Sequence, residues 1–274
     1  MNNLMKQLAE EGTVILKKQK MTDQEFNDYV LSLGKHLTDN WFVRHSKFPA
    51  LFRITNKTLE NGKRGVFSQG ELEWHCNSSC CLDPEEVVVL YGKKVIKDAP
   101  TIIAYSTKMY NDLPQTLKDE LDDVEVIIKN YKNISGNGGI YTSEDGYDVK
   151  DHARFDEYNF RSRDGLMTMK SHPKMKAKQL KNGRWLISVK KKLVQVHPVT
   201  KQKVLYFPFP SMADFHHKQE LIDRLMQPKY IYHHEWEEGD IMFMDQITTI
   251  HKRENTLLVP EERELYRAAF YYGN

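Results

Sequence analysis

Cysteine is scarce in this chain of 274 residues: there are three, all between positions 76 and 81. An odd set crowded into one stretch is a poor disulfide framework and suits a reducing compartment. Cys76 and Cys80 lack a second cysteine pair downstream, so a zinc knuckle has little basis. Buried or site-lining thiols are the expectation. Long apolar runs are missing too: nowhere do eighteen apolar residues stand together, and the first twenty lack the apolar core of a signal peptide. A cytoplasmic protein with no membrane partner is the reading. Charge of one sign is also absent, since forty Lys and Arg face thirty-eight Asp and Glu for a net +2. That balance gives no electrostatic footprint for a phosphate backbone, so nucleic acid is not expected. The Lys190-Lys191-Lys192 run and the stretch from Lys170 to Lys181 read as solvated faces.

Hydrophobic content of 40% and aromatic content of 11% exclude a mostly disordered chain. The length fits one large domain, and residues 1–274 show no internal repeat and no linker. Met1 to Glu11 has an amphipathic helical pattern, Gly12 breaks it, and Thr13-Val14-Ile15-Leu16 reads as a short strand. Thr22 with Glu25 forms a capping box, and Phe26, Tyr29, Val30 and Leu33 recur at helical spacing up to Gly34. Val87 to Tyr91 is β-rich, whereas Asp112 to Val124 reads as a polar helix with Pro114 near its start. The glycine-rich, charged stretch 135–164 has no clear periodicity and reads as a long excursion of the kind that covers a pocket. Strands return at Trp185 to Val189, Leu193 to His197, Val204 to Phe207, Ile241 to Met244 and Ala268 to Tyr272, with a short helix at Leu221 to Met226. The pattern fits a mainly β protein, a sandwich or jelly roll with helices outside it.

Two histidines stand out, His75 in Trp74-His75-Cys76-Asn77 and His251 downstream of Gly239-Asp240. Non-haem iron(II) oxygenases hold their metal with two histidines and one carboxylate, leaving the opposite face open. The first element is usually His-x-Asp or His-x-Glu, because alternate residues of a strand point to one side. Here the spacing is kept and the carboxylate is replaced by Asn77. Either histidine alone would read as a hydrogen-bonded or exposed side chain, and either terminal arginine as a surface charge. His197 looks structural, His216-His217 and His233-His234 read as surface pairs, Asp240 as a turn residue and Asp245 as a support for the site.

The ordered segments around these histidines resemble the taurine dioxygenase family of iron(II)- and 2-oxoglutarate-dependent oxygenases, which includes clavaminate synthase. The likeness runs from the Gly12 strand and the Met21-Thr22-Asp23 helix start, through Leu72-Glu73-Trp74-His75, to His197-Pro198-Val199-Thr200 with Leu205-Tyr206. It continues through Trp236-x-x-Gly239-Asp240 and His251 to two arginines, nearly the full chain. The resemblance implies a double-stranded β-helix of the cupin type, Fe(2+) held by His75 and His251 with Asn77 in the carboxylate's place, and 2-oxoglutarate as co-substrate. By position, Thr101 and Arg263 would touch its carboxylate, and Arg267 would face the substrate or share the co-substrate's charge. A guanidinium suits this role because it makes paired charge-assisted bonds to a carboxylate. The implied reaction couples decarboxylation to succinate with oxidation, usually hydroxylation, of a small molecule by dioxygen. A pocket around Arg267 favours an acidic or zwitterionic substrate, and a homo-oligomer is consistent with the family.

Asparagine offers a neutral carbonyl where aspartate offers a charge, so it is a weaker ligand for a hard divalent ion. Three readings follow. Asn77, a water in its place, or an aspartate formed by deamidation at Asn77-Ser78 completes an active oxygenase site. Alternatively the chain is a catalytically silent metal- or ligand-binding member of the fold. A third reading is a halogenase-like variant with chloride at the position, which the bulk of the asparagine side chain disfavours.

Overall fold

Three neighbouring strands, Ile241–Asp245, Val87–Lys94 and Glu264–Tyr271, are apolar on both faces and divide their residues between two cores. Val87, Val89, Tyr91, Phe243, Ala268 and Phe270 pack with Met5, Leu8, Phe26 and Val30 of two helices. The intervening Val88, Leu90, Met242, Met244, Leu265 and Ala269 pack with Ile103, which belongs to a second sheet. Helices therefore cover one side of the first sheet, and the second sheet covers the other.

The structure, a computed structural model, describes residues 3–36, 45, 47–48, 50–58, 71–80, 83–96, 99–133, 159–162, 165–168, 175–179, 184–254 and 261–273. Its six-stranded sheet runs Thr13–Leu16, Ile241–Asp245, Val87–Lys94, Glu264–Tyr271, Lys35–His36, with Phe52–Thr55 also paired to Glu264–Tyr271. The facing four-stranded sheet runs Ile231–His234, Thr101–Ala104, Ile250–Arg253, Leu72–His75. Every pairing in both is antiparallel. Two such sheets face to face with helices outside make the mainly β, double-stranded β-helix or jelly roll that the strand pattern predicts. A smaller three-stranded sheet joins Met175–Gln179, Arg184–Lys192 and Glu125–Asn133. Among the described residues, no helix is long and apolar enough to cross a membrane.

Local chemistry explains the ends of these elements. The helix Asp23–Leu31 begins in the predicted capping box: Thr22 Oγ1 accepts from the Glu25 amide at 3.2 Å, and Glu25 Oε2 accepts from the Thr22 amide at 2.8 Å. Gly239 turns into the strand Ile241–Asp245 with φ of +90°, and a Cβ there would lie 2.6 Å from the Gln19 carbonyl oxygen. Only glycine fits that position.

Two expectations need correction. The polar helix from Asp112 to Val124 is shorter, Gln115–Leu121, with Pro114 as its cap rather than inside it, and a separate helix Ser106–Asn111 precedes it. Proline disfavours helical geometry at the residue before it, so the chain breaks at Leu113. Most of the excursion 135–164 lies outside the described residues, but Asn159–Ser162 within it pairs with Gly165–Thr168 as a hairpin.

Candidate functional site

Register brings the two histidines together. His251 and His75 are direct partners across an antiparallel pair, with ring centroids 4.2 Å apart and planes inclined at 50°. Both line a cavity of about 40 Å³ between the sheets, with Asn77, Thr101, Arg253, Arg263 and Arg267. All six residues expected at the site thus meet in one place.

His75 Nδ1 donates to the Glu73 carbonyl at 2.6 Å, which leaves Nε2 with a free lone pair. Burial lowers the His75 pKa to about 4; the Glu73 bond opposes that, while Arg267 and Arg253 add to it. Burial, His75 and Arg267 likewise push His251 well below its ordinary value. Both imidazoles are neutral at pH 7, the form that ligates metals.

The third position belongs to an amide. Among the described residues, no group of three His, Cys, Asp or Glu is placed to hold a metal ion. Asn77 donates twice to Gln246 Oε1, from its backbone at 3.0 Å and from Nδ2 at 3.1 Å, and Nδ2 lies 3.4 Å from His251 Nε2. Asp245, fully buried, accepts from His197 Nε2 and Tyr272 Oη at 2.8 Å each and from the amides of Ile247 and Thr248. It braces the turn that carries Gln246, and His197 is the structural residue it appears as in the sequence. Asp240 is a buried turn residue holding Lys17 and the amides of Lys18 and Glu237. Neither carboxylate lines the cavity.

The far end of the cavity is built from positive charge. Arg263 is buried, and no described residue pairs with its guanidinium. Burial lowers its pKa to about 9, with Arg253 acting in the same direction, so it keeps its charge at neutral pH. Thr101 Oγ1 accepts from Trp236 Nε1 at 3.0 Å, which leaves the hydroxyl proton free to donate into the cavity. Arg267 is different: it forms a buried ion pair with Glu85, whose other oxygen accepts from the Ser78 hydroxyl at 3.4 Å.

Sequence reasoning missed Arg253, Glu85 and Gln246. Arg253 carried a usable signal, since it stands two residues beyond His251 on one strand and so shares its face. Glu85 and Gln246 carried none, because only tertiary packing brings them to Arg267 and Asn77. His234 is a correction: it is buried, 3.2 Å from Asp240 and edge-on to Trp236, and not half of a surface pair. Within its strand Tyr232 and His233 are exposed and His234 is buried. Cys76 and Cys80 are buried as expected, and Cys76 donates to the Thr249 carbonyl; Cys81 lies outside the described residues.

The fold is shared with solved proteins of low sequence identity. A putative alpha-ketoglutarate-dependent taurine dioxygenase from Burkholderia xenovorans superimposes with a TM-score of 0.66 at 15% identity, covering 98% of this chain and 81% of that one. The protein AAD-2, solved in complex with Mn(II) and N-oxalylglycine, gives 0.64 at 17% identity over 98% and 86%. A taurine dioxygenase from Burkholderia xenovorans gives 0.63 at 16% over 98% and 78%. The family model described as taurine catabolism dioxygenase TauD, TfdA family matches residues 1–269. The chain therefore belongs to the TauD/TfdA family of 2-oxoglutarate-dependent dioxygenases.

Proposed function

We propose that this protein couples decarboxylation of 2-oxoglutarate at iron(II) to oxidation, most simply hydroxylation, of a small organic substrate, releasing succinate and CO2. The observation that carries the proposal is one cavity lined by two neutral imidazoles and by a buried guanidinium that has no counter-ion among the described residues. The donor set fits the implied groups. Two imidazole nitrogens suit a divalent transition metal, and a cation beside a free hydroxyl suits a carboxylate.

In this reading His75 and His251 hold iron, and Asn77 stands as a neutral third group. Iron, when bound, supplies the activation of dioxygen. Arg263 takes the far carboxylate of 2-oxoglutarate, Thr101 donates to it, and Arg253 adds charge beside them. The apolar walls of Ile54, Leu72, Val88, Leu90 and Leu265 exclude water and strengthen each of these contacts. Arg267 is already balanced by Glu85, so an anionic group on the substrate has to compete with an internal carboxylate. That favours a zwitterion over a simple acid. The whole chain, residues 1–274, acts as one oxygenase unit.

Asn77 favours a second reading, a silent member that binds metal or acid without turnover. Chloride at this position is the weakest reading, because Gln246 holds the asparagine side chain in place. Anaerobic addition of iron(II) and 2-oxoglutarate separates the first two. A visible charge-transfer band followed by succinate release in air supports the dioxygenase. A band without succinate, across a panel of amino acids and other acids, supports the silent binder, and absence of both rejects the site.

A further inference from the structure

The orientation of the Asn77 amide is set by a group that no side-chain change at position 77 can alter. Gln246 Oε1 accepts from the Asn77 backbone N–H at 3.0 Å, and a backbone N–H is a donor whatever residue it belongs to. Gln246 therefore has to turn its oxygen, not its NH2, toward position 77. It does so although its own Nε2 is buried without a partner, a cost that flipping the amide would transfer to the backbone bond. The side chain at position 77 then meets an oxygen 3.1 Å away and must offer a proton. Asparagine does so with Nδ2, which leaves Oδ1 with no hydrogen bond to a described residue. An aspartate would set a carboxylate against a carbonyl.

We infer that Gln246 is a positioning residue matched to an amide, so that the pair of positions 77 and 246, rather than position 77 alone, sets the character of the third group at the metal site. Its consequence for metal binding rests on the proposed function; the match itself does not. Gln246 is 1% exposed and sits on the turn braced by Asp245, so it has little freedom to move aside. Substituting aspartate for Asn77 alone, the obvious way to rebuild the usual ligand set, should for this reason bring little gain.

The test compares Asn77→Asp in three backgrounds: the natural chain, Gln246→Met and Gln246→Glu. Met removes the opposing oxygen at similar volume, and Glu keeps an acceptor while adding charge. Thermal midpoints are first measured in chelator, without metal. Asn77→Asp is expected to lower the midpoint by about 3–6 °C in the natural chain, more with Gln246→Glu, and by no more than about 1 °C with Gln246→Met. Equal shifts in all three backgrounds overturn the inference, as does a larger shift with Gln246→Met. Should Gln246→Met fail to fold, the ordering of the other two backgrounds still decides.

Mn(II) binding by calorimetry then reads the consequence for the site. Asn77→Asp should tighten Mn(II) less than about threefold in the natural chain and at least tenfold with Gln246→Met, a coupling of the kind double-mutant cycles isolate. The same gain in both backgrounds refutes the pairing. If the midpoints order as expected and no variant binds Mn(II), the match stands and the dioxygenase reading fails.

Discussion

The two ends of the cavity solve opposite electrostatic problems. At the histidine end the imidazoles and amides are neutral, and Gln246 Oε1 accepts twice from Asn77, whose Nδ2 lies 3.4 Å from His251 Nε2. At the arginine end, Arg253, Arg263 and Arg267 line the same space; Arg267 pairs with Glu85, and no described residue pairs with the Arg263 guanidinium. A neutral end costs little to maintain when empty and attracts a cation weakly. A buried cation without a counter-ion costs several kcal/mol when empty, and that cost is recovered when a carboxylate arrives. Under the proposed function, this difference means that the co-substrate's anionic end supplies much of the binding and that the metal depends on it.

Arg263→Leu is the strongest way to break this contrast. It should weaken 2-oxoglutarate binding by roughly 100-fold or more, a loss of about 3–5 kcal/mol. Titration of the charge-transfer band would measure it. The unliganded protein should at the same time be no less stable, because the substitution removes a buried charge. A fall in thermal midpoint with affinity unchanged would show that Arg263 is paired within the protein and that the two ends do not differ.

Asp245→Asn tests the support beneath the neutral end. His197 Nδ1 accepts from the amides of Val199 and Thr200, which fixes the ring proton on Nε2, facing Asp245. An asparagine there must turn its NH2 toward either the Tyr272 and His197 donors or the backbone donors of the turn. One donor pair is left without an acceptor, at a cost of about 2–4 kcal/mol, or roughly 5–10 °C in thermal midpoint. Metal affinity should fall as well, because this turn leads into His251 and carries Gln246.

What was legible in the sequence follows the same division. Thr22 with Glu25, the Gly12 break and the apolar, β-rich run Val87 to Tyr91 are local signals, and the structure places each as expected. Arg263 and Arg267 were readable through the family resemblance, and both line the cavity. The strands Thr101–Ala104, Ile231–His234 and Ile250–Arg253 were not read as such. Each is four residues long, too short for alternation to separate a strand from any other apolar run. Glu85 against Arg267 and Gln246 against Asn77 are contacts across 182 and 169 positions of sequence. No local pattern encodes such pairs.

A smaller effect is expected behind the arginine end. Trp236 Nε1 donates to Thr101 Oγ1, so the indole fixes the hydroxyl as a donor toward the cavity. Trp236→Phe removes that bond and keeps most of the ring. The 2-oxoglutarate affinity should drop by about three- to sixfold, in line with roughly 1 kcal/mol for one neutral hydrogen bond. Iron affinity measured without the keto acid should stay unchanged, and a loss there would mean that the two ends are not independent.

The smallest effect concerns the turn on which Trp236 rests. Burial alone would raise the pKa of Asp240, but Lys17 and the amides of Lys18 and Glu237 outweigh it and hold the carboxyl below its ordinary value of 3.8. A folded-state pKa below the unfolded one means that this carboxylate contributes stability at neutral pH. The contribution is lost only as pH falls below about 4 and through the lower folded value. Asp240→Asn should therefore lower the thermal midpoint by a constant amount between pH 7 and pH 5, and the gap to the natural protein should close in stronger acid. His234 lies against both Asp240 and Trp236, so a gap that instead widens as pH falls from 7 to 5 would assign a titration to the histidine, whose protonation strengthens its pairing with Asp240. The turn would then be held by a charged imidazole as well as by Lys17.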